Sequence, residues 1–182
     1  IKNHLKKHNL QNITVINSCA VTAEAEKKVE YEIRKAKRNN PKNKIIVTGC
    51  AAQINPDKYD QLKEVDLVLG NKEKLQSVLW SNLNFKNSIQ VEDILLEKKP
   101  VLTEIETFEG KSRAYIEIQQ GCDHRCTFCI IPFGRGNNRS VPAGEIVKRI
   151  KNIVKNGYRE VVLTGVDITD YGKDLTPKTT FS

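Results

Sequence analysis

Ala114-Tyr-Ile-Glu-Ile118-Gln-Gln-Gly-Cys122-Asp-His-Arg-Cys126-Thr-Phe-Cys129 decides how the second half of this chain is read. Its first five residues alternate apolar and polar, the period of a half-buried β-strand. Three thiols then fall within eight residues of the loop that leaves the strand. Three thiolates can hold three irons of a 4Fe–4S cluster and leave the fourth iron open to a substrate or cofactor, which a four-cysteine electron carrier cannot do. Structural zinc is the common alternative for clustered intracellular cysteines, and unligated thiols are another. Zinc usually takes paired Cys-x-x-Cys knuckles, and no fourth cysteine follows Cys129. His124 is a poor fourth ligand, because the backbone of its loop is committed to placing the neighbouring thiols. Five cysteines is an odd number in a chain that is neither small nor cysteine-dense, so a disulfide framework is not expected.

Outward from that loop, residues 145–155 carry Ile146, Val147, Ile150, Ile153 and Val154 at helical spacing, with Gly157 as the stop. Residues 160–164 read as a further strand, followed by Gly165. The order is strand, long functional loop, helix, strand, and in barrel folds such loops at strand C-termini carry the chemistry. Only two such strands precede the polar tail at 176–182, and two strands cannot close a barrel. The chain is therefore expected to stop inside its second domain.

The first half alternates short apolar runs with amphipathic stretches. Residues 13–16 read as a buried strand, 24–38 as a helix with Thr22 as its N-cap and Pro41 past its end, and 44–48 as a second strand. A short helix is predicted at 56–62 and a third strand at 65–69. Asn71 is predicted to cap a helix with Leu75, Val78, Leu79 and Leu83 on one face. Residues 1–9 look like the tail of a helix, and 84–111 lose all periodicity. Such alternation implies parallel strands with helices packed on them. Cys19 directly follows the first strand and Cys50 the second. In an open parallel sheet strand C-termini meet in one crevice, so these thiols are expected to be neighbours. Each is alternatively a small buried apolar residue. As a ligand pair they are incomplete, and a third cysteine is expected upstream of Ile1.

The chain has 182 residues, a hydrophobic fraction of 38% and a net charge of +8. The charge favours a polyanionic partner such as nucleic acid, or it is an ordinary lysine-rich surface. No apolar run approaches the ~20 residues that span a bilayer, and no charged-then-apolar leader opens the chain, so no membrane association and a cytoplasmic location are expected. Methionine is absent and the first residue is Ile1, the mark of a piece of something longer.

Four stretches together resemble the radical S-adenosylmethionine (SAM) methylthiotransferases. They are Asn17-Ser-Cys19-Ala-Val-Thr-Ala-Glu-Ala-Glu26, Val47-Thr-Gly-Cys50-Ala-Ala-Gln53, Gly121-Cys-Asp-His-Arg-Cys-Thr-Phe-Cys-Ile-Ile-Pro-Phe-Gly-Arg-Gly136 and Val162-Leu-Thr-Gly-Val-Asp-Ile-Thr-Asp-Tyr-Gly172. They are most similar to the branch acting on N6-threonylcarbamoyladenosine in tRNA, rather than on isopentenyladenosine or a ribosomal protein. The resemblance implies an α/β chain. A Rossmann-like parallel-sheet domain over 1–95, incomplete at its start, is followed by a linker over 96–112. The first strands of a radical SAM (β/α) partial barrel then occupy 113–182. It implies two 4Fe–4S clusters. Cys122, Cys126 and Cys129 would hold the SAM-binding one, and Cys19 and Cys50 part of an auxiliary one. Phe128 would approach the adenine of SAM, and Gly165, Val166 and Asp167 its methionyl amino group. Arg135 and Arg139 are the candidates for tRNA phosphates, because arginine binds phosphate bidentately. An electron donor such as flavodoxin or ferredoxin would complete the system. C2 of adenine bears an inert C–H bond with no acidic proton, so acid–base catalysis cannot open it and radical chemistry is required. With most of the barrel missing, residues 1–182 alone are expected not to turn over.

Overall fold

Ile45-Ile46-Val47 sets the layering of the first half, because successive residues of a strand face opposite sides of the sheet. The computed structural model describes residues 1–102 and 112–181. In chain order, helix α1 (Lys2–Lys7) is followed by β1 (Ile13–Ser18), α2 (Ala23–Asn39), β2 (Lys44–Gly49), α3 (Cys50–Ile54), α4 (Pro56–Asp60), β3 (Leu67–Leu69), α5 (Ser77–Ser81) and β4 (Ile89–Gln90). The four strands form one sheet, ordered β1-β2-β3-β4, and every pairing is parallel. Ile45, Val47 and Val68 face Val29 and Ile33 of α2, Ala51 and Ala52 of α3 and Tyr59 of α4. Ile46, Leu67 and Leu69 face the other way, onto Trp80 of α5, with Leu5 and Leu79 packed against them. Trp80 is 0% exposed and its indole N–H donates to the Lys74 carbonyl at 2.9 Å. Thr22 caps α2 as predicted, its Oγ1 accepting from the Ala25 amide at 3.1 Å.

Several details differ from the sequence reading. β1 lies at the sheet edge and is mostly half-buried rather than buried. The single helix predicted after Asn71 is broken. Glu73–Leu75 is a 3₁₀ turn, Gln76 is extended, and α5 restarts at Ser77, which leaves Val78 74% exposed. Asn71 does not cap it, because its side chain is engaged elsewhere. The aperiodic stretch contains β4 and a 3₁₀ turn at Ile94–Leu96, and residues 103–111 of it lie outside the described residues.

The chain divides into two units. One is Ile1–Ile94 together with Thr127–Arg135, and the other is Leu95–Cys126 with Gly136–Ser182. Residues 127–135, inside the span assigned by sequence to the second domain, thus belong to the first unit and contain helix α6 (Ile131–Arg135). The second unit holds β5 (Arg113–Gln120), β6 (Arg139–Ser140), helix α7 (Ala143–Lys155) and β7 (Glu160–Gly165). β5 is central, with β7 parallel on one side and β6 antiparallel on the other. Ala114, Ile116 and Ile118 of β5 bury against Val141, Ile146, Ile153 and Tyr171. Gly157, at φ +89, ends α7 in the left-handed conformation that glycine adopts without strain. Among the described residues no helix is long and apolar enough to cross a membrane.

Candidate metal centre

β5 delivers the chain to Gly121, whose φ of +71 turns it into the cysteine loop. A methyl group there would lie 1.9 Å from the Asn137 carbonyl oxygen, so the backbones touch with nothing between them. The Cys122 amide donates to the Gly136 carbonyl at 3.0 Å. Gln119, 0% exposed, joins the ends of the two parallel strands. Its Nε2 donates to the Gly121 carbonyl and to Asn138 Oδ1, both at 2.7 Å, and its Oε1 accepts from the Asp167 amide at 2.8 Å. Asp123 accepts from the Asn138 amide at 2.9 Å. Arg125 donates to the Cys122 carbonyl at 3.0 Å, to the His124 carbonyl at 3.2 Å and to Asn137 Oδ1 at 2.6 Å. Side chains thus bond the carbonyls of Gly121, Cys122 and His124. All five thiols of the chain are free of disulfides, with Cys126 exposed and Cys122 and Cys129 half-buried.

Past the end of β7, Asp167 turns its carboxylate to this loop. Oδ2 lies 3.7 Å from Cys122 Sγ and 3.2 Å from His124 Nε2. The Thr169 hydroxyl bonded to its other oxygen, with smaller help from His124 and Cys122, holds the carboxyl below its ordinary range against a burial effect of opposite sign. Asp167 is therefore an anion at neutral pH. His124 also reaches Asp170 at 3.5 Å, and Lys173 pairs with Asp170 from the other side. The imidazole thus faces two carboxylates.

The other predicted residues are placed as follows. Ser18 of β1 and Gly49 of β2 are register partners, so Cys19 and Cys50 each follow directly from a paired position. Cys50 is the first residue of α3 and half-buried, while Cys19 is exposed. Ser18 Oγ donates to the Thr48 carbonyl at 2.6 Å and accepts from the Ala52 amide at 3.0 Å, which fastens the end of β1 to α3. Phe128 is 94% exposed and Arg135 is exposed. Arg139 is 4% exposed and donates to the Glu97 carbonyl at 3.4 Å. Its candidacy for a phosphate contact is corrected on that ground: the guanidinium is enclosed, and burial pushes its pKa down.

Sequence reasoning missed Gln119, Asn138, Ser18 and the role of Asn71. No sequence signal marked Gln119: it falls at the polar position of the alternation set by Tyr115 and Glu117, and its full burial, which requires that its amide be bonded, shows only in the structure.

Residues 3–70 match the Uncharacterized protein family UPF0004, and residues 116–176 match the Radical SAM superfamily. The threonylcarbamoyladenosine tRNA methylthiotransferase of Rickettsia prowazekii is 50% identical over 182 residues, all of this chain and 43% of the relative. The protein of that name from Aquifex aeolicus is 39% identical over 170 residues, 91% of this chain and 41% of the relative. The tRNA-2-methylthio-N(6)-dimethylallyladenosine synthase of Staphylococcus haemolyticus is 32% identical over 176 residues, 92% and 34% of the two chains. The chain thus spans less than half the length of these relatives. Among solved structures, the radical S-adenosylmethionine methyltransferase TsrM of Kitasatospora setae superposes with a TM-score of 0.55 at 12% identity, over 92% of this chain and 40% of that one. That likeness shows the fold.

Proposed function

We propose that this chain, a UPF0004 domain followed by a radical SAM domain, is the cluster-bearing portion of a tRNA methylthiotransferase that modifies C2 of N6-threonylcarbamoyladenosine next to the anticodon. The observation that carries the reading is 50% identity along all 182 residues to a protein of that name, in a chain with a separate set of free thiols in each half. The donor chemistry suits iron–sulfur clusters: soft, disulfide-free thiols in the loop after β5 and just past the ends of β1 and β2. Cys122, Cys126 and Cys129 would hold the SAM-binding 4Fe–4S cluster, and Cys19 and Cys50 would contribute to an auxiliary one. When bound, these groups supply the one-electron cleavage of SAM and the sulfur chemistry that an inert C–H bond demands.

The protein's own residues position and neutralise. Gln119 fixes the cysteine loop to the Asp167 amide, and so holds the Asp167 carboxylate beside the Cys122 thiol. That anion would receive the methionyl ammonium of SAM, with Gly165 and Val166 forming the approach and the exposed Phe128 ring offering a face to the adenine. Arg135, exposed at the end of α6, is the remaining candidate for tRNA phosphate. A reductant of the flavodoxin or ferredoxin class and a cytoplasmic location follow from a tRNA substrate and a one-electron requirement.

Anaerobic iron–sulfur reconstitution followed by electron paramagnetic resonance, with and without SAM, tests the cofactor. A SAM-dependent spectral change is expected, and one equivalent of zinc with no iron uptake overturns it. Nucleoside analysis of tRNA from cells lacking the whole protein tests the substrate. Loss of the 2-methylthio form of threonylcarbamoyladenosine is expected, and an unchanged nucleoside profile overturns the assignment.

A further inference from the structure

We infer that Asn71 is a positioning residue, joining the Cys50 thiol to the segment that carries Cys129. The inference rests on the reading of Cys50 as an auxiliary-cluster ligand. Asn71 lies just past the end of β3 and is 7% exposed. Its Nδ2 donates to the Gly134 carbonyl of α6 at 2.6 Å and lies 3.7 Å from Cys50 Sγ. The orientation of the amide is fixed chemically. Lys74 Nζ bonds to Asn71 Oδ1, and an ammonium can only donate, so the oxygen must face Lys74 and the NH₂ must face Gly134 and Cys50. The Asn71 backbone is anchored as well, because its amide donates to Gln53 Oε1 at 2.8 Å and Gln53 lies on α3, the helix that begins with Cys50.

Gly134 completes the contact. A Cβ added there would sit 2.9 Å from Cys50 Cβ and 3.4 Å from its sulfur, so α6 approaches the thiol with no side chain between them. Thr127–Arg135, which includes Cys129, is thus bonded through the Asn71 amide where it packs on Cys50 within one unit. Lys74 extends the bracket, its Nζ lying 3.4 Å from Asn17 Oδ1, two residues before Cys19. An N–H donor beside a thiolate ligand, with an ammonium bonded to the same amide, stabilises the more negative redox state, one of the levers by which proteins set cluster potentials.

The test uses the whole protein with Cys122, Cys126 and Cys129 changed to serine, so that only the auxiliary cluster forms. Asn71→Leu removes the donor while keeping the branched shape of the side chain, and Lys74→Gln removes the charge from a half-buried position. Both are expected to keep the iron content and to move the midpoint potential to a more negative value. In the apo protein, Asn71→Asp, which sets an acceptor against the Gly134 carbonyl, is expected to speed amide hydrogen exchange across residues 127–135. Unchanged midpoints and unchanged exchange overturn the inference. If Asn71→Leu does not fold, the Lys74→Gln midpoint decides. If the parent takes up no auxiliary cluster, the functional reading fails, and the exchange measurement still judges Asn71.

Discussion

Replacing Gly121 by alanine separates two costs that the structure assigns to the cysteine loop. The first is conformational. At φ +71 an L-residue with a Cβ pays roughly 1–2 kcal/mol. The second is steric. The new methyl would sit 1.9 Å from Asn137 O and 2.5 Å from Gly136 O, both backbone atoms that cannot rotate away. Loop and strand end must move apart, and overpacking of this kind adds about 1–3 kcal/mol. Together they give roughly 2–5 kcal/mol. Two other glycines calibrate the sum. At Gly157, with φ +89, an added methyl would meet nothing within 4 Å, so Gly157→Ala is expected to carry the conformational cost alone. Gly144 lies in the first turn of α7 with open space around it, and Gly144→Ala is expected to stabilise by at most about 0.5–1 kcal/mol. Chemical denaturation of the three apo variants gives the order, and iron bound after anaerobic reconstitution reads the local consequence. Gly121→Ala is expected to be the least stable and to lose iron at Cys122, Cys126 and Cys129, while Gly157→Ala keeps it. A Gly121→Ala protein no less stable than Gly157→Ala, with full iron uptake, would refute the reasoning.

Gln119→Leu is expected to lose about 3 kcal/mol or more, because the Gly121 carbonyl, Asn138 Oδ1 and the Asp167 amide each forfeit a buried bond at about 1–3 kcal/mol apiece; parent-like stability in denaturant would contradict it. Asp66 accepts from Lys44 at 2.7 Å, the Ile45 amide at 2.9 Å and Lys37 at 3.3 Å, and although burial pushes its carboxyl up, these bonds outweigh it and hold the pKa below the ordinary value. A depressed folded pKa means the stabilisation is present above about pH 4 and is lost as pH falls through the folded value. Asp66→Asn should therefore lower stability at pH 7 by about 1–3 kcal/mol, with a gap that closes below about pH 4; a gap constant with pH would count against the sign. If Arg135 meets phosphate and Arg139 is structural, Arg135→Ala should weaken tRNA binding by the whole protein and flatten its salt dependence, while Arg139→Ala should leave that slope alone and lower the melting temperature. The opposite pattern would restore Arg139 to the interface.

The elements legible in the sequence are those whose stability is written in their own residues. β2 and β5 carry apolar runs long enough to show a period, α2 has its cap and its i, i+4 face, and α7 has Ile146, Ile150 and Ile153. β4 and β6 are two residues each, and nothing in Ile89–Gln90 or Arg139–Ser140 announces a strand. Each exists because a longer strand offers it hydrogen bonds, β3 in one case and β5 in the other. The helix expected after Asn71 failed for a related reason: tertiary burial of Trp80 decided where α5 would sit, and the preceding residues were left as a 3₁₀ turn.

The candidate site divides along the same line. Cysteine has few uses in such a chain, and three thiols in eight residues narrow them further, so the candidate ligands can be read from spacing. An amide side chain has donors and an acceptor and suits a cap, a turn or a buried network equally, so its type alone carries little information. Gln119 and Asn71 acquire a role only from what surrounds them. Gln119 gathers the end of β5, the cysteine loop and Asp167 past the end of β7, while Asn71 gathers α3, α6 and Lys74. In both places one amide bonds groups from three separate stretches of sequence. Replacing such a residue should therefore disturb the spacing of the thiols more than their chemistry, which is why exchange rates and midpoint potentials, rather than ligand counts, are the measurements that would expose it.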